Sequence, residues 1–149
     1  METPKILMVC LGNICRSPLA QGILKNKVSS KIIVDSAGTA GYHIGNSPDP
    51  RSILIGKQNG IKISQYLARK FTKEDFKNFN HIYVMDKSNY ADVLTLTNSQ
   101  EDKEKVSLIH PYDQEIPDPY YGNFEAFEEC YLLLDYSCEQ IVKDLSLWT

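Results

Sequence analysis

Residues 5–36 constrain the fold more than any other stretch of this chain. Lys5 to Cys10 is a short, mostly apolar run closed by the turn residues Gly12-Asn13, and it reads as a buried strand. Ser17-Pro18 signals a helix start, with Ser17 as the cap and proline at the first helical position, where no amide donor is needed. Leu19, Ala20, Ile23, Leu24 and Val28 supply one apolar face of that helix, and Lys31 to Ser36 forms a second strand. A strand, a helix and a strand in so short a span imply parallel strands joined by a right-handed crossover.

The rest of the chain repeats the alternation. Asp49-Pro50 carries the same start signal for a helix ending near Asn59-Gly60. His81 to Met85 reads as a third strand, followed by a helix from Lys87 to Leu96. A charged turn from Glu101 to Lys105 precedes a fourth strand, Val106 to Ile109. Phe124, Phe127, Tyr131, Leu134, Cys138, Ile141 and Leu145 step by three and four residues and mark one face of a long final helix. The expected fold is three-layer α/β/α with an open parallel sheet, flavodoxin-like or Rossmann-like, as one domain over 1–149. In such folds ligands bind beyond the carboxyl ends of the strands, often at a helix N-terminus.

Composition narrows the functional classes. Sixteen Lys+Arg against nineteen Asp+Glu leave a net charge of −3, which argues against a nucleic-acid binder held by bulk charge. The apolar run Ile6 to Leu11 is too short for a signal-peptide core or a membrane span, so the expectation is a cytoplasmic protein with no membrane partner. In a reducing compartment the four cysteines are not expected to form a disulfide framework. His43, His81 and His110 are too scattered to suggest a metal site, and no cofactor is implied.

The chemistry concentrates between the first strand and its helix, in Cys10-Leu11-Gly12-Asn13-Ile14-Cys15-Arg16-Ser17. The amides of residues 11 to 17 can turn inward as an anion cradle, and the helix N-terminus adds partial positive charge. Arg16 adds a planar fork matched to two phosphate oxygens. The same field favours the thiolate of Cys10, its reactive form. A cysteine followed by five residues and Arg-Ser, in this strand-before and helix-after context, is far more specific than a lone cysteine. The loop is not an ATP-type phosphate loop, because it lacks the second glycine followed by lysine.

Cleaving a phosphate ester also needs an acid for the leaving oxygen. Two aspartates stand between prolines, in Pro48-Asp49-Pro50 and Pro117-Asp118-Pro119. Asp49 is explained as a helix cap, whereas Asp118 sits in a proline-stiffened loop with no helix starting right after it. Asp118 is therefore the candidate acid, although a loop aspartate is commonly just a turn former.

These motifs carry a resemblance. Cys10 to Pro18, with Asp118-Pro119-Tyr120-Tyr121-Gly122, resembles the low-molecular-weight protein tyrosine phosphatase family. The similarity extends through Asp35-Ser36-Ala37-Gly38-Thr39, Ser47-Pro48-Asp49-Pro50-Arg51 and Ala68-Arg69, over nearly the whole chain. It implies a four-stranded parallel sheet and metal-free hydrolysis of phosphotyrosine in proteins through a phosphocysteine, by a monomer or weak dimer. Cys10 would be the nucleophile, Arg16 the phosphate clamp, and Asp118 the group that protonates the tyrosyl oxygen and then activates water. Ser17 would hold the thiolate, Asn13 and Ser36 would set the loop shape, and Tyr42, Tyr120 and Tyr121 would line the entrance. At Tyr66 the family often has a histidine that braces the loop asparagine, so a tyrosine there alters the expected brace.

Two other readings compete. An arsenate reductase of the same fold would relay electrons through further cysteines, but none lies between Cys15 and Cys130. A non-catalytic phosphotyrosine-binding module would not need Cys10, Arg16 and Asp118 together. Cys15 is a candidate redox partner that captures an oxidised Cys10 as a disulfide, against the plainer reading that it packs beneath the loop. Cys130 and Cys138 are expected to pack within the last helix.

Overall fold

A computed structural model describes residues 3–147. The elements are β1 (Lys5–Cys10), α1 (Arg16–Lys27), β2 (Ile33–Gly38), α2 (Pro50–Gln58), α3 (Asp75–Asn78) and β3 (His81–Val84), then α4 (Lys87–Leu94), α5 (Gln100–Glu104), β4 (Val106–Leu108) and α6 (Phe124–Asp144). All four strands are parallel, in the order β2-β1-β3-β4. The chain thus moves from β1 to one side for β2 and returns to the other side for β3. That reversal makes the carboxyl end of β1 the point where a crevice opens.

Strand β1 is buried on both faces, which is why it reads as an unbroken apolar run. Its alternate residues feed two cores. Ile6, Met8 and Cys10 belong with Leu19, Ile23, Phe127, Leu134 and Cys138 beneath α1 and α6. Leu7 and Val9 belong with Phe71, Phe76, Ile82, Val84 and Val93 on the α3 and α4 side. Helices thus cover both faces of the sheet, and Cys10 points to the α1 side in phase with Ile6 and Met8.

Several elements differ from the sequence expectation. The second strand runs Ile33–Gly38 rather than Lys31–Ser36, because Ala37 and Gly38 continue the ladder opposite Val9 and Cys10. Gly38 lies where a Cβ would stand 2.7 Å from the Leu11 carbonyl oxygen and 3.0 Å from the Asn13 nitrogen. Only glycine lets the two backbones approach so closely. The charged segment expected as a turn is instead helix α5, capped by the Ser99 hydroxyl on the Asp102 N–H; none of its residues is buried, so it carries no apolar periodicity. Helix α4 ends at Leu94, and the short α3 was not expected. Asp49 caps α2 as expected, accepting from the Arg51 N–H at 2.8 Å. Among the described residues no helix is long and apolar enough to cross a membrane.

Candidate active site

The loop after β1 leads into α1 two residues earlier than expected. The helix begins at Arg16 with Cys15 in the cap position, and no side chain caps it. Ser17 is therefore not the cap; it sits in the first turn with its hydroxyl turned inward. Its Oγ lies 3.0 Å from Cys10 Sγ and accepts from Asn13 Nδ2 at 2.7 Å. A capping side chain would occupy the helix amides, so its absence leaves them free for an anion.

The loop carbonyls bond outward to the surrounding frame. Cys10 and Leu11 accept from the Thr39 and Ala40 N–H groups, each at 2.9 Å. Ile14 accepts from the Asp49 N–H at 2.8 Å, and Cys15 from the Ser52 hydroxyl at 3.3 Å. Among the described residues, no acceptor takes a hydrogen bond from the N–H groups of residues 11–15. With carbonyls fixed outward, these amides form a concave donor surface.

Asn13 holds the shape. It adopts a left-handed backbone (φ 58°), which asparagine tolerates better than most residues. Its amide donates to Ser17 and Ser36, and its oxygen accepts from the Arg69 N–H at 3.0 Å. Ser36 donates onward to Gln21 at 2.6 Å, so the brace is a buried polar network. Tyr66 takes no part in it. Its ring lies under the Lys25 ammonium at 5.7 Å, and the Arg69 backbone occupies Asn13 instead.

Arg16 is 2% exposed. One edge of its guanidinium is fixed: Nη1 donates to Asp86 Oδ2 and to the Ile116 carbonyl, both at 2.8 Å. Its Nε has no partner among the described residues, and Nη2 stands 3.7 Å from Asp118 Oδ2. A buried donor without a protein partner is costly unless a ligand meets it. Asp118 is partly exposed, and its Oδ1 accepts from the Tyr120 N–H at 3.1 Å in a tight local turn.

The structure gathers most of the expected residues around one cleft of about 120 Å³. Its walls are Cys10, Leu11, Gly12, Ile14, Cys15, Arg16, Tyr42, His43, Asp118, Tyr120 and Tyr121. Asn13, Ser17 and Ser36 lie buried beneath the loop rather than in the wall. The other cysteines are core residues. Burial raises the Cys15 thiol, with the Asp49 charge adding to it, and pushes Cys130 up to about 12. Cys138 is fully buried and likewise raised by desolvation. The sulfur relay of the reductase reading thus finds no exposed further thiol among the described residues.

Three participants escaped the sequence reading. Asp86 anchors Arg16, and Arg51 contacts the loop that carries Asp118. His43 packs over Gly12, with ring centroids 6.4 Å from both Tyr42 and Tyr120. Only Asp86 had a usable signal: an aspartate after an apolar strand and before a helix is a cap at the carboxyl end of a parallel strand.

The family model of low molecular weight phosphotyrosine protein phosphatase matches residues 5–147. The human low molecular weight phosphotyrosine protein phosphatase is 45% identical over 139 residues, covering 87% of each chain. A protein tyrosine phosphatase from Entamoeba histolytica, solved with Hepes in its active site, superposes with a TM-score of 0.91 at 36% identity and 97% coverage of both chains. Vibrio vulnificus Wzb, solved with benzylphosphonate, gives 0.88 at 29% identity, covering 96% of this chain and 99% of that one. This chain belongs to the low molecular weight phosphotyrosine protein phosphatase family.

Proposed function

We propose that this protein hydrolyses phosphotyrosine in proteins, and small aryl phosphates, through a phosphocysteine on Cys10 and without a metal. The observation that carries the reading is the convergence on one cleft of the Cys10 sulfur, the unbonded amides of residues 11–15, the free edge of Arg16 and the Asp118 carboxyl. The amides and the Arg16 fork take the phosphoryl oxygens, which places phosphorus in front of the sulfur. The Ser17 hydroxyl, 3.0 Å from the Cys10 sulfur, stands within hydrogen-bond reach of the nucleophile.

In the first step the thiolate attacks phosphorus. The S–P bond forms as the P–O bond to the aryl group breaks, and the proton of Asp118 passes to the departing phenolic oxygen. In the second, the Asp118 carboxylate takes a proton from water as that water attacks the phosphocysteine. Inorganic phosphate leaves and the thiolate is restored. Charge spread over the phosphoryl oxygens is met throughout by donors already in place, so little reorganisation is needed.

Tyr42, Tyr120 and His43 give the cleft aromatic walls, which suit a phenyl ring. Benzylphosphonate, in complex with the Vibrio relative, places a phenyl ring one carbon from phosphorus, as phenyl phosphate places one an oxygen away. The setting that fits this reading is a cytoplasmic monomer acting on tyrosine-phosphorylated proteins. Assay of p-nitrophenyl phosphate in excess chelator should give turnover in the wild type and none in Cys10→Ser. A Cys10→Ser protein that turns over normally would overturn the assignment.

A further inference from the structure

The N-terminal turn of α2 touches both loops of the site. On one side the Asp49 N–H donates to the Ile14 carbonyl at 2.8 Å, and the Ser52 hydroxyl to the Cys15 carbonyl at 3.3 Å. On the other, Arg51 Nη2 donates to the Tyr120 carbonyl at 2.9 Å, and Nη1 to the Gly122 carbonyl at 3.2 Å. Arg51 is itself held rigidly. Its Nε and Nη2 grip the two oxygens of Asp49 at 3.0 and 2.9 Å, and its guanidinium lies 4.4 Å from the Phe127 ring centroid. Asp49 is buried, while the Arg51 side chain is 36% exposed, so the pair is anchored at its carboxylate end.

Asp118, by contrast, has little of its own to fix it. Among the described residues its carboxylate accepts only the Tyr120 N–H two residues away, and it stands 3.7 Å from Arg16. Arg16 is the group that must also hold the phosphoryl oxygens. A proton donor working on a leaving oxygen needs a position good to about half an ångström, and something outside the Asp118 side chain has to supply it.

We propose that Arg51 is a positioning residue for Asp118, clamping the acid loop through its Tyr120 and Gly122 carbonyls to a helix turn that is tied to the phosphate loop. Proton donor and phosphorus are thereby indexed to the same short segment, Asp49 to Ser52. The inference rests on the phosphatase reading and adds a residue to it. The guanidinium makes no contact with the reacting atoms; it acts through the backbone on which Asp118 is mounted.

The test compares two esters. Phenyl phosphate has a poor leaving group that needs protonation, whereas p-nitrophenyl phosphate has a good one. Arg51→Gln should lower kcat/KM, which reports only the steps up to loss of the aryl group, about tenfold on phenyl phosphate and less than about threefold on p-nitrophenyl phosphate. Competitive inhibition by inorganic phosphate should stay within about twofold, because the anion cradle is untouched. In an Asp118→Ala background, adding Arg51→Gln should cost less than about twofold further, since the group being positioned is gone. Asp49→Asn keeps a capping oxygen but weakens the grip on Arg51, so it should show the same selectivity to a smaller degree; it also covers the case in which Arg51→Gln melts too low to assay. Equal losses on both esters, weakened phosphate inhibition, or a full multiplicative loss in the double variant would each overturn the role of Arg51 while leaving the phosphatase reading intact. A wild type that hydrolyses neither ester would overturn that reading, and the inference with it.

Discussion

The phosphate loop and the acid loop face one cleft, yet they are held by different means. Residues 10–17 grow out of an interior strand of the sheet, have the carbonyls of Cys10, Leu11, Ile14 and Cys15 bonded to two neighbouring segments, and rest on the buried Asn13, Ser17 and Ser36. Residues 117–123 hang between β4 and α6, carry a Tyr121 that is 95% exposed, and depend on one arginine for two of their backbone contacts. In the proposed mechanism the first loop holds an anion whose geometry does not change from substrate to substrate, and the second gives and retakes a proton while the group beside it departs. On that reading rigidity is concentrated where charge is bound, and the proton carrier is mounted on a part with fewer constraints.

Substitutions on the two sides should therefore fail in different ways. The largest loss is expected from Arg16→Lys. An ammonium cannot keep the Asp86 and Ile116 contacts on one edge and offer a two-toothed grip on the other, so kcat/KM should fall on the order of 10²–10³-fold for every ester tried. Initial rates on esters of differing leaving group check this; a loss that varied with the leaving group would erase the contrast between the loops. Next comes Asp118→Ala. The kcat/KM for phenyl phosphate should drop about 10²-fold and that for p-nitrophenyl phosphate much less, with phosphate inhibition retained. The slope of log kcat/KM against leaving-group acidity is the readout, and an unchanged slope would count against the acid role.

The subtlest effect is redox. On the redox-partner reading of Cys15, peroxide oxidation of Cys10 to a sulfenic acid is followed by attack of the Cys15 sulfur, which expels water and forms a disulfide. Burial keeps the Cys15 thiol protonated, which makes this capture slow. Wild type should regain most of its own starting rate on reduction, and Cys15→Ser should regain a smaller fraction of its own. Equal recovery of the two proteins would reduce Cys15 to packing.

The two loops also differed in how plainly the sequence displayed them. The phosphate loop is contiguous, and its physics is local: a strand end, a run of amides, a helix start. The octet Cys10 to Ser17 could be placed and given a chemistry without any distant contact. Even so, Ser17-Pro18 pointed to a cap that does not exist, because the Ser17 hydroxyl is drawn to Asn13 and Cys10. Asp118 was visible through its prolines, but its support was not. Arg51 lies about seventy positions from the carbonyls it grips, and Asp86 seventy from Arg16; no local periodicity encodes such pairings. His43 was likewise left without a role, since only the folded chain brings it over Gly12. The bounds of β2 lie two residues beyond those expected, for a related reason. Ala37-Gly38 looks too small for a strand until the loop packed against it is known.

Asp86 has a consequence for how this protein can vary. One carboxylate oxygen caps α4 through the Asn89 N–H at 2.8 Å, and the other holds Arg16 at the same distance. Asparagine would keep the cap and surrender the charge; glutamate would keep the charge and lose the short reach that capping needs. No single replacement preserves both duties. Position 86 is closed to neutral drift from two directions at once, and a saturation library scored separately for folding and for turnover should find it intolerant on each axis for a different set of residues.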